Sequence, residues 1–600
     1  MTTIPQRLTT LRQMMHHCTI SVCIIPSSDP HLSEYIADHW KRREWISGFD
    51  GSVGTVVVLQ DQAGLWTDSR YFLQAEIQLK DSGISLFREG LPDVPDYNDW
   101  IISNLKEGSV VGIDGEVFST REVEEMKEKF SAAGLELKTD LVLVNEKWTD
   151  LPPLPENNVF IYNEKFAGAS YSEKISQIER KIEEAKADIL LLTALDEIAW
   201  TFNIRGGDVE YNPVTIAYAM IATDSACIFV DEKKLTPEVI SYFEQNNIRI
   251  LPYLSVFNVL SKLPSGCRIL IDKQKVNFAL FDAISPSASV VAKESPVAML
   301  KAIKNKVEIE GTKNAVIKDG IALTRAFYWL EKELQAGKRV TEIAFAEKLS
   351  ACRAEQKDFF SESFPTIAGY AANGAIVHRI ITPENSTELH PGNLFLVDSG
   401  GNYFDGTTDI TRTIAIGKAT KQQKIDYTNV LKGHIALAVA RFPEGTRGVH
   451  LDAFARQFLW NECLNYGHGT GHGIGYFLSV HEGPQNIRTK DNGIELKPGM
   501  LLSNEPGLYR KDEYGIRLEN MVLVKEYRET AFGRFLEFET LSLFPFDSAL
   551  IETDMLSEKE LEWLTNYHQT VYQKLTPFLS EEERNWLKIK VNLTCKSPRF

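Results

Sequence analysis

Five side chains between residues 398 and 519 have the types and order to hold a pair of divalent cations. They are Asp398 in LVDSG, Asp409 in DGTTDITRT, His472 in GHGTGHGIG, Glu505 in SNEPG and Glu519 in GIRLEN. Four carboxylates and one imidazole, with no thiolate, form a hard, oxygen-rich donor set. That set favours Mn²⁺, with Co²⁺, Fe²⁺ or Zn²⁺ as alternatives, over a structural zinc site. Five such donors suit two metals about 3.5–4 Å apart that share a water. Carboxylates gathered inside apolar strands repel one another unless they are paired or coordinate metal. The competing arrangement is a set of ordinary strand-end acids, satisfied by turns and by Arg412 or Arg517.

The elements around these residues set their positions. NLFLV (393–397) is an apolar strand-type run ending at Asp398, and TDITRTIAI (408–416) alternates as a second strand. A hairpin centred near Tyr403–Phe404 sets Asp398 opposite Asp409, and opposed side chains share a face with Cβ atoms about 5 Å apart. MLLSNE (500–505) and GIRLENMVLV (515–524) pair about Asp512 and set Glu505 opposite Glu519. A bulge in either turn shifts these registers. NGAIVH (373–378) is predicted as a strand ending at His378.

Glycine recurs at positions 467, 469, 471, 473 and 475, around His468 and His472. The alternation lacks the spacing of a dinucleotide fingerprint, which excludes phosphate cradling. It lets backbone approach a metal or substrate closely. His481 precedes Glu482, but no second histidine follows at helical spacing, so this is not a zinc-protease helix. His434, on the helical segment 433–442, is predicted as a packed or solvated helix residue and not as a ligand.

The order Asp, Asp, His, Glu, Glu in these motifs resembles the dinuclear metallopeptidases of the pita-bread fold, and within them the long, three-domain aminopeptidase P (Xaa-Pro aminopeptidase) family. GAIVH (374–378), HGTGHGIG, VHEGP (480–484) and the N-terminal SGFDGSVGT and WTDSRYF carry the resemblance over nearly the whole chain. It implies hydrolysis of the bond between an N-terminal residue and a penultimate proline, by a hydroxide shared between two metals. By the same resemblance Asp398 holds one metal, His472 and Glu505 hold the other, and Asp409 and Glu519 bridge them. Glu505 is then the general base, Arg517 orients the carboxylates, and His378, His468 and His481 line the cleft as catalytic and substrate-binding groups. Arg70 is a candidate contact to the far end of the substrate, with pairing to Asp68 or Asp50 as the alternative. Arg379 stands where the family commonly has an aromatic residue, and is expected to meet an acidic substrate group or to point to solvent. The family also implies a homodimer. A prolidase, a methionine aminopeptidase and a non-catalytic pita-bread protein-binding module share some or all of these features. A creatinase-like enzyme should lack the full donor set.

The 600 residues suggest three to four domains. Residues 1–150 are expected to form an α/β creatinase-like domain, with a helical stretch at Tyr35–Ile36, strands at 54–60 and 64–68 and a helix starting near Arg70. Residues 151–303 repeat that plan, with a capping box at Ser170 and Glu173 opening a helix, so a duplicated module is expected. Asp196 and Arg205 there are expected to be structural. Residues 304–535 form the α+β pita-bread catalytic domain, beginning with a long helix stopped by Gly337, and residues 536–600 a helical extension. A net charge of −17 argues against nucleic-acid or anionic-membrane partners. Seven scattered cysteines (18, 23, 227, 267, 352, 463, 595) suggest reduced thiols. No signal core and no apolar run of about 18 residues is present, so a cytoplasmic protein without a membrane span is expected.

Overall fold

The computed structural model describes residues 2–145 and 147–593. It divides into two compact units, Met1–Ala298 and Met299–Phe600. Cys595 and the end of the C-terminal extension lie outside the described residues; the other six cysteines are free thiols. Among the described residues, no helix is long and apolar enough to cross a membrane.

The first unit holds two six-stranded sheets. Strands β1 (Val22–Pro26), β2 (Thr55–Leu59), β3 (Ala63–Thr67), β4 (Ser85–Arg88), β5 (Val110–Gly112) and β6 (Glu136–Lys138) lie in the order β4-β3-β2-β1-β5-β6. Strands β1–β2 and β2–β3 pair antiparallel, while β3–β4, β1–β5 and β5–β6 pair parallel. Successive side chains of a strand face opposite sides. Val22 and Ile24 accordingly join one core, with Val123, Met126 and Phe130 of the helix Thr120–Ala132, while Cys23 and Ile25 join another beneath Leu8, Leu11 and Met15. The second sheet has β7 (Ile189–Leu192), β8 (Ala217–Ala222), β9 (Ser225–Val230), β10 (Ile248–Leu251), β11 (Arg268–Ile271) and β12 (Ser289–Ala292), in the order β10-β9-β8-β7-β11-β12. Each pairing has the sense of its counterpart in the first sheet. The expected duplication is present in full topology. Ser170 caps the helix Tyr171–Glu184, with Glu173 closing the capping box.

Tyr35–Ile36 is not helical. The chain there is irregular, and a short 3₁₀ turn begins at Asp38. Arg205 is buried, donates to the carbonyls of Ala199 and Ile204, and lies over the Tyr162 ring. Arg70 forms a forked ion pair with Asp68, at 2.9 and 2.6 Å.

The second unit begins with the long helix Lys306–Gln335, capped by Asn305 and Glu308 and ended by Gly337 at a φ of 70°. Strands β13 (Ile367–Tyr370), β14 (Asn393–Ser399) and β15 (Ile410–Ile416) form one antiparallel sheet. Strands β16 (Leu501–Asn504), β19 (Asn520–Thr530) and β20 (Gly533–Thr540) belong to another, and β17 (Gly507–Arg510) with β18 (Tyr514–Arg517) forms the hairpin between β16 and β19. The helices Lys421–Ala438 and Gly448–Trp460 cover these strands through Val430, Leu431, Ile435 and Leu459. Strand β20 spans residue 536, where the extension is expected to start. The helices of the extension, Glu558–Leu575 and Glu581–Lys590, pack Leu564, Val571, Leu575 and Leu587 into the same core.

Candidate metal centre

Strand β14 carries Asp398 and pairs with β15 so that Asp398 faces Thr411, not Asp409. The hairpin turns about Phe404–Asp405, one position beyond the expected centre, with Tyr403 paired to Gly406. Asp405 at this tip is held by Lys318 Nζ of the long helix at 2.7 Å, a tertiary contact that local sequence does not display. The resulting slip is two residues. A shift of two preserves the face, whereas a shift of one reverses it.

The second pair stands in the expected register. Asn504 pairs with Asn520 and Gly507 with Arg517, both symmetric about Asp512, so Glu505 and Glu519 come opposite each other. Asp512 has a φ of 61°, the left-handed conformation that a tight turn requires. The two pairs are stitched together, since Glu519 N donates to Thr411 O at 3.1 Å and Thr411 Oγ1 donates to Glu519 Oε2 at 2.8 Å.

His472 arrives on the short strand Gly471–His472. A Cβ on Gly471 would overlap the Ser503 carbonyl, and one on Gly473 the Glu482 carbonyl. The glycines flanking His472 therefore permit a backbone approach that no side chain allows. His472 Nδ1 donates to Gly473 O at 2.9 Å, which leaves Nε2 facing the acids, 3.3 Å from Asp409 Oδ2 and 3.5 Å from Glu505 Oε1. Ligand atoms of Asp409, His472 and Glu519 all lie within 4.8 Å of one another.

The acids carry the electrostatic signature of a cation site. Burial raises Asp398, Glu505 and Glu519 above the ordinary carboxylate range, and their mutual repulsion and that of Asp409 add to it. Burial opposes the charging of His472, but Asp409 and Glu505 outweigh it and raise the imidazole to about 9. Arg517 Nη2 donates to Asp398 Oδ2 at 2.7 Å, while the buried Asp398 Oδ1 has no hydrogen-bond partner. Arg412 donates to backbone carbonyls, Asn520 and Tyr567, so it does not neutralise the acids directly. Three buried carboxylates with the half-buried Glu505, the Nε2 edge of His472 turned toward them and an orphaned oxygen fit hard divalent ions.

His468 is engaged at both ring nitrogens, Nδ1 with Gly469 O at 2.7 Å and Nε2 with Tyr509 Oη at 2.8 Å. Tyr509 Oη also accepts from Arg517 Nη1 at 2.6 Å, which links Asp398, Arg517, Tyr509 and His468 in one chain. The sequence reading missed Tyr509. Its signal was its place in the hairpin centred on Asp512, two residues beyond the partner of Arg517. The His481 ring lies edge-on to His472 with centroids 4.3 Å apart. Its neighbour Glu482 is buried between Lys304 at 2.7 Å and Lys301 at 3.1 Å.

His378 is half-buried beside Val377, whose carbonyl accepts from Arg517 Nη2 at 3.2 Å. The expected strand at 373–378 is absent. Residues Ala371–Ala375 form a 3₁₀ helix, because Asn373 is held sideways by Glu342 and Thr387. Both expectations for Arg379 are corrected. It is buried and donates to Glu342 Oε2 at 2.7 Å and to Ala368 O at 3.0 Å, so it anchors the cleft wall from behind. His434 is fully buried, bonded to Leu518 O and Asn520, and burial pushes it down to about 3; it is a packed residue and not a ligand.

Comparison with known proteins places these features in sequence order. The Creatinase/Prolidase N-terminal domain matches twice, at residues 7–141 and 150–308. Metallopeptidase family M24 matches residues 310–526, and its C-terminal region residues 534–592. A probable Xaa-Pro aminopeptidase P of Coprinopsis cinerea is 41% identical over 97% of both chains. Aminopeptidase P2 of Arabidopsis thaliana is 39% identical over 97% of this chain and 88% of its own. The crystal structure of an X-prolyl aminopeptidase from Caenorhabditis elegans, described as a cytosolic enzyme with a di-nuclear active site, superposes with a TM-score of 0.94. It is 34% identical and covers 99% of this chain and 100% of its own. An Xaa-Pro dipeptidase from Bacillus anthracis, 23% identical with a TM-score of 0.50, shares the fold over 63% of this chain and 99% of its own.

Proposed function

The chain belongs to the aminopeptidase P family of M24 metallopeptidases, and from that premise we propose how its residues release an N-terminal residue that precedes proline. It is a metal-dependent Xaa-Pro aminopeptidase with a dinuclear centre. The observation that carries this reading is the cluster of buried acids around His472 Nε2, with Asp398 Oδ1 left open.

We assign Asp398, Asp409, His472, Glu505 and Glu519 as the residues that would hold the two cations. When bound, two divalent cations supply Lewis acidity and bring a water near ionisation at neutral pH. The donor set favours Mn²⁺. Arg517 fixes one oxygen of Asp398 and so aims the other. The scissile amide nitrogen before a proline ring is tertiary and carries no hydrogen. Glu505 takes the proton of the attacking water on its carboxylate and returns it to that nitrogen as the C–N bond breaks. His378 and His481 hold the scissile carbonyl and stabilise the negative charge that develops on its oxygen, while His468, engaged at both ring nitrogens, lines the cleft and acts through Tyr509. Tyr509, donating to His468 Nε2, keeps that ring in its Nδ1–H form.

On this reading residues 1–150 and 151–303 are the creatinase-like modules, 304–535 the catalytic domain and 536–600 its extension. The order of the family matches supports that division. Six free cysteines support a reducing compartment, so we place the protein in the cytoplasm, and we propose a homodimer on the resemblance to the long form.

The experiment is hydrolysis by metal-stripped protein, with and without Mn²⁺, of Arg-Pro-Pro, Arg-Pro and Met-Ala-Ser. Arginine release from the tripeptide, restored by metal and weak on the dipeptide, is expected. Cleavage of the dipeptide alone would make the chain a prolidase, and of Met-Ala-Ser alone a methionine enzyme.

A further inference from the structure

We propose that Tyr567, on the C-terminal extension, is a positioning residue of the metal centre, acting through the buried guanidinium of Arg412. The inference rests on the reading of Glu519 as a metal ligand.

Arg412 is 2% exposed, and its hydrogen-bond partners are neutral. Its Nη1 donates to Thr411 O at 2.9 Å and to Glu519 O at 2.5 Å. Its Nη2 donates to Asn520 Oδ1 at 2.8 Å, Tyr567 Oη at 2.7 Å and Phe544 O at 2.5 Å. Nε reaches Phe544 O and Pro545 O, both at 3.2 Å. One edge of the guanidinium thus grips the backbone of the two residues whose side chains bond each other at the acid cluster, Thr411 and Glu519. The other edge is held by the extension.

A guanidinium this deep persists only where its N–H groups are matched, because an unmatched buried donor costs free energy. Tyr567 supplies one match and is itself tightly fixed. Its hydroxyl lies 2.9 Å from Phe544 O, 3.0 Å from Ser542 O and 3.2 Å from Asn520 Oδ1, and its ring stacks on Trp563 with centroids 5.3 Å apart. Removing the hydroxyl takes one of the three acceptors around Nη2 and leaves Asn520 Oδ1 and Phe544 O, so the guanidinium tilts toward those two and shifts its grip on the Glu519 and Thr411 carbonyls at the opposite edge. The extension is therefore more than a cover for the core: it sets the direction in which Glu519 presents its carboxylate.

The test compares the full-length wild type, Tyr567→Phe and a stability control, Leu564→Ala, on the same helix. Each is stripped and titrated with Co²⁺ in competition with a chelator, and the visible spectrum, KM and kcat for Arg-Pro-Pro are recorded well below Tm. Partners that orient metal ligands change affinity or activity by about 10–100-fold. Tyr567→Phe is expected to weaken Co²⁺ binding in that range, to shift the Co²⁺ absorption bands, and to lower kcat with KM within about twofold. Leu564→Ala is expected to lower Tm while binding Co²⁺ with the wild-type affinity and spectrum. Wild-type affinity and spectrum in Tyr567→Phe, or the same changes in Leu564→Ala, would overturn the inference. Should Tyr567→Phe not fold, Trp563→Phe, which loosens the ring beneath Tyr567, takes its place with the same readouts. A wild type that binds no Co²⁺ would overturn the metal reading itself, and this inference with it.

Discussion

Arg517 holds one oxygen of Asp398 at 2.7 Å and leaves the other, buried, without a hydrogen-bond partner. The same guanidinium donates to Tyr509 Oη and to the Val377 carbonyl, so a single planar group fixes Asp398, the His468 partner and the segment before His378. Lysine keeps the charge but loses the fork. Arg517→Lys is expected to lower metal affinity or kcat/KM by about 10–100-fold, measured by metal titration and steady-state kinetics.

The acid cluster makes a specific demand on pH. Burial, reinforced by neighbouring charge, raises Asp398, Glu505 and Glu519, while Asp409 and Glu505 raise His472 to about 9 against its burial. Groups raised in the folded state bind protons more tightly there than in the unfolded chain. Their contribution to stability is complete below the unfolded values and is lost as pH rises through the folded ones. The metal-free protein is thus expected to lose Tm from the ordinary carboxylate range, about 4, up to the His472 value of about 9. Bound cations take the place of those protons, so the gap between metal-loaded and metal-free Tm should widen between pH 5 and 9. Parallel curves would contradict the clustering of these charges.

Gly473 tests the close approach around His472. A methyl group there would collide with the Glu482 carbonyl, and Glu482 cannot yield because Lys301 and Lys304 hold its buried carboxylate. Gly473→Ala is expected to displace His472 and His481 together, with loss of metal affinity and of activity beyond about 10-fold, read by metal titration and turnover. Gly493→Ala, at a position with open space, checks the opposite case: its strain at a φ of 77° is local and should leave metal binding unchanged.

The alternation of apolar residues revealed the strands, and the two pairs of acids were readable because sheet register follows from turn centre and side-chain period. Glu505 and Glu519 came out opposite because the polar turn at Asp512 is short and self-contained. Asp398 and Asp409 slipped by two because Lys318, nearly ninety residues upstream, fixes the hairpin tip through Asp405. The 3₁₀ turn before His378 and the inward course of Arg379 both depend on Glu342, on a helix distant in sequence. Tyr509 and Tyr567 were likewise hidden, since their roles come from hydrogen bonds to arginines on other strands. Local pattern displays which face a residue takes; it does not display which distant partner holds it.

The most direct test is stoichiometric reconstitution of the stripped, full-length protein with Mn²⁺, following bound metal and arginine release from Arg-Pro-Pro in the same samples. The account expects about two ions per chain, with activity rising as the sites fill. Full activity without metal, or saturation with no ion bound at Asp398, Asp409, His472, Glu505 and Glu519, would contradict it.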